Sequence, residues 1–158
     1  MDQHKILTDE LIKLLKGGSA HASFDEAVEG LPEKLRGVKH ENLPYTIWQL
    51  VEHIRIAQWD MLEFSKAETH QSPEWPDGYS VEAKAPKDDA EWKKSLKQID
   101  DDQDEFIQLL GKEDIYKRIA HGDGQSILRE ALQIADHLAY HTAEIIVIRR
   151  LLGAWKKG

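Results

Sequence analysis

The chain contains no cysteine. Disulfides, thiolate metal ligands and a cysteine nucleophile are excluded together. Any metal must take nitrogen or oxygen donors, and any thiol chemistry must use a thiol carried in by a substrate or cofactor. Positive charge is also scarce: 21 Lys and Arg against 29 Asp and Glu leave a net charge of −8. The basic footprint that a nucleic-acid backbone requires is missing. The basic pairs Arg149-Arg150 and Lys156-Lys157 fall near the end of a helical stretch, where they suit the negative end of the helix dipole. No apolar run is long enough to cross a bilayer. The N-terminus, Met1-Asp2-Gln3-His4-Lys5, lacks the apolar middle and cleavage site of a signal peptide, so the expectation is a soluble cytoplasmic protein. No segment alternates as a strand would, and no repeat is visible.

What is present is helical periodicity. The 158 residues, 41% hydrophobic and 32% charged, suit one domain over residues 1–158 with a single core and solvated outer faces. Ile6, Leu7, Leu11, Leu14 and Leu15 recur at helical spacing over residues 2–16, and Gly17-Gly18 stops that helix. Ser23-Phe24-Asp25-Glu26 is a capping-box pattern opening a short turn, followed by an irregular stretch from Pro32 to Pro44. Residues 45–66 form a second long helix with Ile47, Leu50, Val51, Ile54, Ala57, Met61 and Leu62 on its apolar face. Residues 67–87 hold Pro73, Pro76, Gly78 and Pro86, too much proline and glycine for a helix and too long a stretch for a simple connector. A third helix starts at Asp88-Asp89-Ala90-Glu91 and ends at Gly111, and a fourth covers residues 126–152. The fold class expected is all-α, a four-helix bundle with long connecting loops. Those loops permit a topology other than up-down-up-down.

His137 and His141 stand one helical turn apart in Asp136-His137-Leu138-Ala139-Tyr140-His141. At about 100° per residue, His141 shares a face with Ile134, Ile145, Ile148 and Leu152, with His137 at its edge, so the pair does not face bulk water. His53 borders the apolar face of the second long helix. Two imidazoles from one helix and a third from a packed neighbour would make a three-nitrogen site with one position open, the arrangement of a catalytic rather than a structural metal centre. The alternative is three hydrogen-bonded core histidines, since the chain has eight His and a chance pair at this spacing is unremarkable.

Several stretches carry a family likeness. Leu128-Arg129-Glu130 through Asp136-His137-Leu138-Ala139-Tyr140-His141 and on to Ile148-Arg149-Arg150-Leu151-Leu152-Gly153 resembles the last helix of DinB/YfiT-like proteins. Gly17-Gly18-Ser19-Ala20-His21-Ala22-Ser23-Phe24 looks like the first connector in one branch of that family. Trp48-Gln49-Leu50-Val51-Glu52-His53-Ile54 resembles the helix that carries its first metal histidine, and Ser72-Pro73-Glu74-Trp75-Pro76-Asp77-Gly78-Tyr79 resembles a loop of the same branch. The resemblance implies a four-helix bundle holding a divalent metal, often zinc or nickel, on His53, His137 and His141. It also implies enzymes that use low-molecular-weight thiols such as bacillithiol on small-molecule substrates, and homodimers. The family name derives from a DNA-damage response and does not imply a DNA polymerase.

Two reactions and one non-catalytic role remain open: transfer of a thiol to a small electrophile, metal-dependent hydrolysis of small esters or amides, and binding of a metal or small ligand in a stress response. Beyond the metal set, the candidate site residues are Glu144 as a base or an orienting group, Tyr140 as a donor to substrate and His21 as a substrate contact. Glu130 and Asp60 are further carboxylates on the histidine faces, with solvated and salt-bridged surface roles as the alternatives. A packed ring is the alternative for Tyr140 and a loop residue for His21. His4, His40, His70 and His121 read as surface. Trp75 and Tyr79 either line a pocket or pin their loop to the core. The acidic run 100–105 lacks the glycine and ligand spacing of a calcium loop and reads as a solvated face. Gly122-Asp123-Gly124 reads as a turn.

Overall fold

The computed structural model describes residues 3–17 and 19–155; Met1, Asp2, Gly18, Lys156 and Lys157, all invoked above, lie outside that range. Helix α1 (Gln3–Lys16) ends at Gly17, whose φ of +67° is open to glycine without a Cβ penalty. Helix α2 (Phe24–Val28) carries the expected capping box: Ser23 Oγ accepts from the Glu26 amide (3.2 Å), and Glu26 Oε2 accepts from the Ser23 amide (2.9 Å). The stretch after Pro32, read as irregular, contains a short helix α3 (Glu33–Arg36). Its Arg36 is buried and bonds Asp89 at 2.9 Å, which ties the first connector to the start of the third long helix.

Helix α4 (Ile47–Lys66) begins two residues later than periodicity suggests. Thr46 is its cap, in a second reciprocal box with Gln49, and such a cap contributes about 1 kcal/mol. Tyr45 therefore stands outside the helix. Helix α5 (Asp89–Lys112) is capped by Asp88 and runs through Gly111 rather than stopping there; buried Leu110 holds the last turn in place, and the Glu113 amide returns to the Leu109 carbonyl at 3.0 Å. Helix α6 (Ile127–Leu151) is capped by Ser126. The described residues form no strand, only one isolated bridge between Arg118 and Ser126.

Side-chain pairings fix the directions of α5 and α6 relative to α4. The rings of Trp48 and Trp92 lie 6.2 Å apart, Arg55 meets Gln98, Gln58 meets the Ile99 carbonyl and Lys66 meets Glu105. Both numbers rise together, so α4 and α5 run parallel. Tyr45 meets Glu144 and His53 meets His137, so α6 runs antiparallel to α4. Helix α1 packs against α5 and α6, and α4 packs against the same two. Long helices consecutive in the chain, α1 with α4 and α5 with α6, thus sit across the diagonals, which is not an up-down-up-down order. A parallel α4–α5 pair requires the chain to return the length of the bundle, and this is why residues 67–88 are long.

Two apolar clusters fill the bundle. One gathers Ile47, Trp48, Val51 and Ile54 of α4 with Trp92 and Ile99 of α5 and Ile145 and Ile148 of α6. The other gathers Leu11 and Leu15 of α1 with Leu62, Phe106, Leu110 and Ile134. Arg149, read as a dipole partner, is instead buried and donates to the carbonyls of Ala27, Glu29 and Ala154, so it pins α2 and the chain end to α6.

Most of the acidic run on α5 is solvated, as expected, but Asp102 turns inward. Burial, with Glu105 and Glu63 adding and Gln98 and Arg55 opposing, pushes its carboxyl up to about 6. A folded carboxyl that holds its proton more tightly than the unfolded one weakens the fold as pH rises through about 4 to 6. Asp102→Asn is expected to raise the thermal midpoint at pH 7, with the gain vanishing near pH 4; circular-dichroism melts at both pH values check it, and an equal gain at both would contradict the assignment.

Candidate metal centre

The antiparallel packing of α4 on α6 brings together the three histidines singled out by spacing. Their ring centroids are 4.8 Å (His53–His137), 4.7 Å (His53–His141) and 4.4 Å (His137–His141) apart. One nitrogen from each lies within 4.8 Å of the others. All three rings are half-buried.

Hydrogen bonds decide which nitrogen faces inward. His53 Nδ1 lies 2.8 Å from the Tyr79 carbonyl. A carbonyl only accepts, so Nδ1 carries the proton and Nε2 is a bare lone pair. His141 Nδ1 donates to Glu144 Oε2 at 2.6 Å, which leaves its Nε2 bare as well. The other oxygen of Glu144 accepts from the Tyr45 hydroxyl, and that bond, with burial and the Glu144 charge behind it, pushes the Tyr45 phenol up to about 12. The phenol therefore stays protonated and remains a donor. His137 Nε2 is 2.9 Å from His53 Nε2. Two lone pairs at that distance repel, so the contact requires either a proton on His137 Nε2 or a cation between the rings.

The donor set fits a borderline divalent ion such as zinc or nickel. Tetrahedral ligands on bonds of about 2.0–2.1 Å stand roughly 3.4 Å apart. The closest nitrogen pair, at 2.9 Å, and the 4.8 Å that encloses all three bracket that spacing. Metal ligation also needs neutral imidazole. Burial, with His141 and His53 adding to it, drives His137 down to about 3. Burial likewise lowers His141, against the raising effect of Glu144. Bare inward nitrogens on His53 and His141, acceptors at their outer nitrogens and the third imidazole of His137 form a group that could hold a metal ion.

The remaining candidates divide. Glu144 belongs to the centre through His141. Tyr140 is not packed: it is 64% exposed, with its ring edge-on to His141 at 5.0 Å. His21 is exposed, bonds the adjacent Ala22 carbonyl and is not among the residues gathered at the centre. Glu130 is buried rather than solvated, paired with Arg129 at 2.9 Å, and burial raises its carboxyl against the Arg129 charge. Asp60 is no surface salt bridge: it is buried and accepts from His70 Nε2 (2.7 Å) and the Tyr79 hydroxyl (2.6 Å).

His70 and His121 are correspondingly not surface residues. The His70 side chain is 8% exposed, and His121 Nε2 donates to the Phe64 carbonyl at 2.8 Å. His40 accepts weakly from the Asn42 amide (3.4 Å), and His4 is exposed beside Tyr116. Trp75, 74% exposed, does not pin its loop; Tyr79 does. Sequence reasoning missed Tyr45 and the carbonyl of Tyr79. The Thr46-x-x-Gln49 capping box was the available signal for Tyr45, since it places that residue outside the helix. A backbone carbonyl leaves no sequence signal.

A family model of the DinB superfamily matches residues 19–145, a span that includes all three histidines. No curated protein and no solved structure matches the chain.

His137 titrates near 6.5 when unfolded and about 3 when folded, so between those values the unfolded chain binds the extra proton and stability falls as pH drops. In chelator-treated protein, His137→Gln is expected to flatten the denaturation free energy against pH across that window. A slope matching that of the unsubstituted protein would contradict the burial of this ring.

Proposed function

The chain belongs to the DinB superfamily, and from that membership and the geometry we propose a metal-dependent enzyme. In this reading, His53, His137 and His141 hold a divalent ion, zinc or nickel. The reaction is transfer of a low-molecular-weight thiol, bacillithiol-like, to a small electrophilic substrate. The observation that carries the reading is the convergence of three imidazole nitrogens from two helices within 4.8 Å, with acceptors assigned to the outer nitrogens of His53 and His141. When bound, the ion would supply the positive charge that keeps a thiol deprotonated near neutral pH.

The protein's own groups supply the rest. Glu144, bonded at both oxygens by His141 and Tyr45, holds the His141 ring and stands ready to take a proton at Oε2 when that bond opens. Tyr140, exposed beside His141, offers a hydroxyl to a substrate oxygen. The same carboxylate would serve as base toward water in hydrolysis of small esters or amides, and this keeps that reaction as the competing reading. The cytoplasmic setting expected from the sequence is retained. Pairing of two copies belongs to the same proposal, supported by the exposed Leu132, Val147 and Leu151, which share roughly a 100° sector of α6.

Untagged protein is expected to carry one metal ion per chain by elemental analysis, and His53→Ala and His137→Ala to lose it. Glu144→Gln is expected to keep the metal and to lower turnover by roughly 10²- to 10⁴-fold, the usual range for a removed general base. Bacillithiol conjugation to electrophiles, assayed beside ester hydrolysis, separates the two reactions. Metal without either turnover would favour a binding protein in a stress response, and metal-free, folded protein would end the proposal. Val147→Glu is expected to halve the mass seen by sedimentation; an unchanged mass would remove the pairing surface.

A further inference from the structure

The long 67–88 connector does more than return the chain to the start of α5. We infer that it braces the centre. Tyr79, clamped by Asp60 and His70, is a positioning residue that sets the ring orientation and tautomer of His53. Only the consequence for metal affinity rests on the function proposed above; the brace itself does not.

Tyr79 touches α4 at two points. Its carbonyl accepts from His53 Nδ1 at 2.8 Å, and its hydroxyl donates to Asp60 Oδ2 at 2.6 Å. His53 and Asp60 are seven residues apart, roughly 10 Å along the helix, so one tyrosine lies along two turns of α4. The other oxygen of Asp60 accepts from His70 Nε2 at 2.7 Å. The His70 side chain is nearly sealed from solvent and packs edge-on to Trp59 at 5.1 Å. A single buried carboxylate therefore fastens the connector near its start and again in its middle. Within residues 74–80, Tyr79 alone is not exposed. Without this anchor, the carbonyl that orients His53 would belong to a solvated stretch.

The neighbouring contacts fit a docked element. Gln49 Nε2 donates to the Val81 carbonyl (3.0 Å) and Thr46 Oγ1 to the Lys84 carbonyl (2.7 Å). A Cβ on Gly78 would meet the Pro73 Cβ at 2.7 Å, so the turn before Tyr79 closes onto Pro73 without room for a side chain. The chemistry is that of an outer hydrogen bond to a ligand ring: the carbonyl holds the proton on Nδ1 and leaves Nε2 bare. Freed from that carbonyl, the ring has no fixed tautomer and can turn its bare nitrogen away.

The test uses the whole chain with Tyr79→Phe, which keeps the ring and the carbonyl and removes only the hydroxyl. Asp60→Asn keeps the shape but can accept from only one of the two donors, and it carries the test if Tyr79→Phe does not fold. Glu82→Gln, at an exposed position of the same connector, is the control. Long-range proton–nitrogen spectra of metal-free protein at pH 8 read the His53 tautomer. The proton is expected on Nδ1 in wild type and Glu82→Gln, and spread over both nitrogens in Tyr79→Phe and Asp60→Asn. A folded Tyr79→Phe with the wild-type tautomer overturns the brace, whatever its metal affinity. Zinc titration against a chromophoric chelator reads the consequence, expected as a 10- to 100-fold weaker Kd in the two clamp variants. If wild type binds no zinc, the metal reading fails and the ring spectra still decide the brace.

Discussion

Three imidazoles can be packed together inside a helical bundle only if each has an acceptor for its own proton. That constraint organises the region around His53, His137 and His141. Two outer nitrogens are bonded to groups that can only accept, the Tyr79 carbonyl and the Glu144 carboxylate, and this turns two bare nitrogens toward the third ring. Burial, added to by the neighbouring imidazoles, keeps His137 neutral at any ordinary pH. A buried imidazole without such partners would carry the desolvation penalty of an unsatisfied polar group, about 1–3 kcal/mol. Glu144 is local to His141, but Tyr79 is remote from His53 and His53 from His137 in the chain, so the centre exists only once the bundle has closed.

Helix direction supplies those partners. Because α6 is antiparallel to α4, Glu144 lies beside the N-terminal end of α4, where the Thr46 cap leaves Tyr45 outside the helix and in reach of it. Because α5 is parallel to α4, the chain must cross back along the bundle between them. That crossing lays Tyr79, Val81 and Lys84 along α4. A hairpin between α4 and α5 would have left the outer nitrogen of His53 to water. The connector that topology demands and the acceptor that the centre requires are one segment.

Buried polar groups elsewhere have architectural roles of the same kind. Arg149 gathers carbonyls from the α2 region and from the chain end. Arg36, its charge on Asp89, lies over the Trp92 ring at 4.6 Å. Arg149 thereby replaces water at the edges of short helices, where backbone groups lack partners, whereas Arg36 joins a carboxylate and a ring. Glu130, although on the histidine face of α6, belongs with these through Arg129 and not with the centre.

Much of this was legible in the amino-acid order. Periodicity of 3.6 residues marked the four long helices, and capping residues marked the starts of α2 and α5, because both are local properties of the chain. The i, i+4 pair of His137 and His141 was legible for the same reason, and the likeness to DinB proteins pointed to His53. Other features were not legible. Asp60, Glu130, His70 and His121 read as surface groups because one sequence does not show what the next element brings against them. Tyr140 shows the reverse: it stands beside His141 but on the exposed side of α6, with Asp136, Ala143 and Val147. Helix direction, the diagonal arrangement and the carbonyl on His53 were decided only by tertiary structure. Local sequence fixes which face of a helix is apolar, whereas which helix meets that face, and in what sense, depends on contacts between residues far apart in the chain.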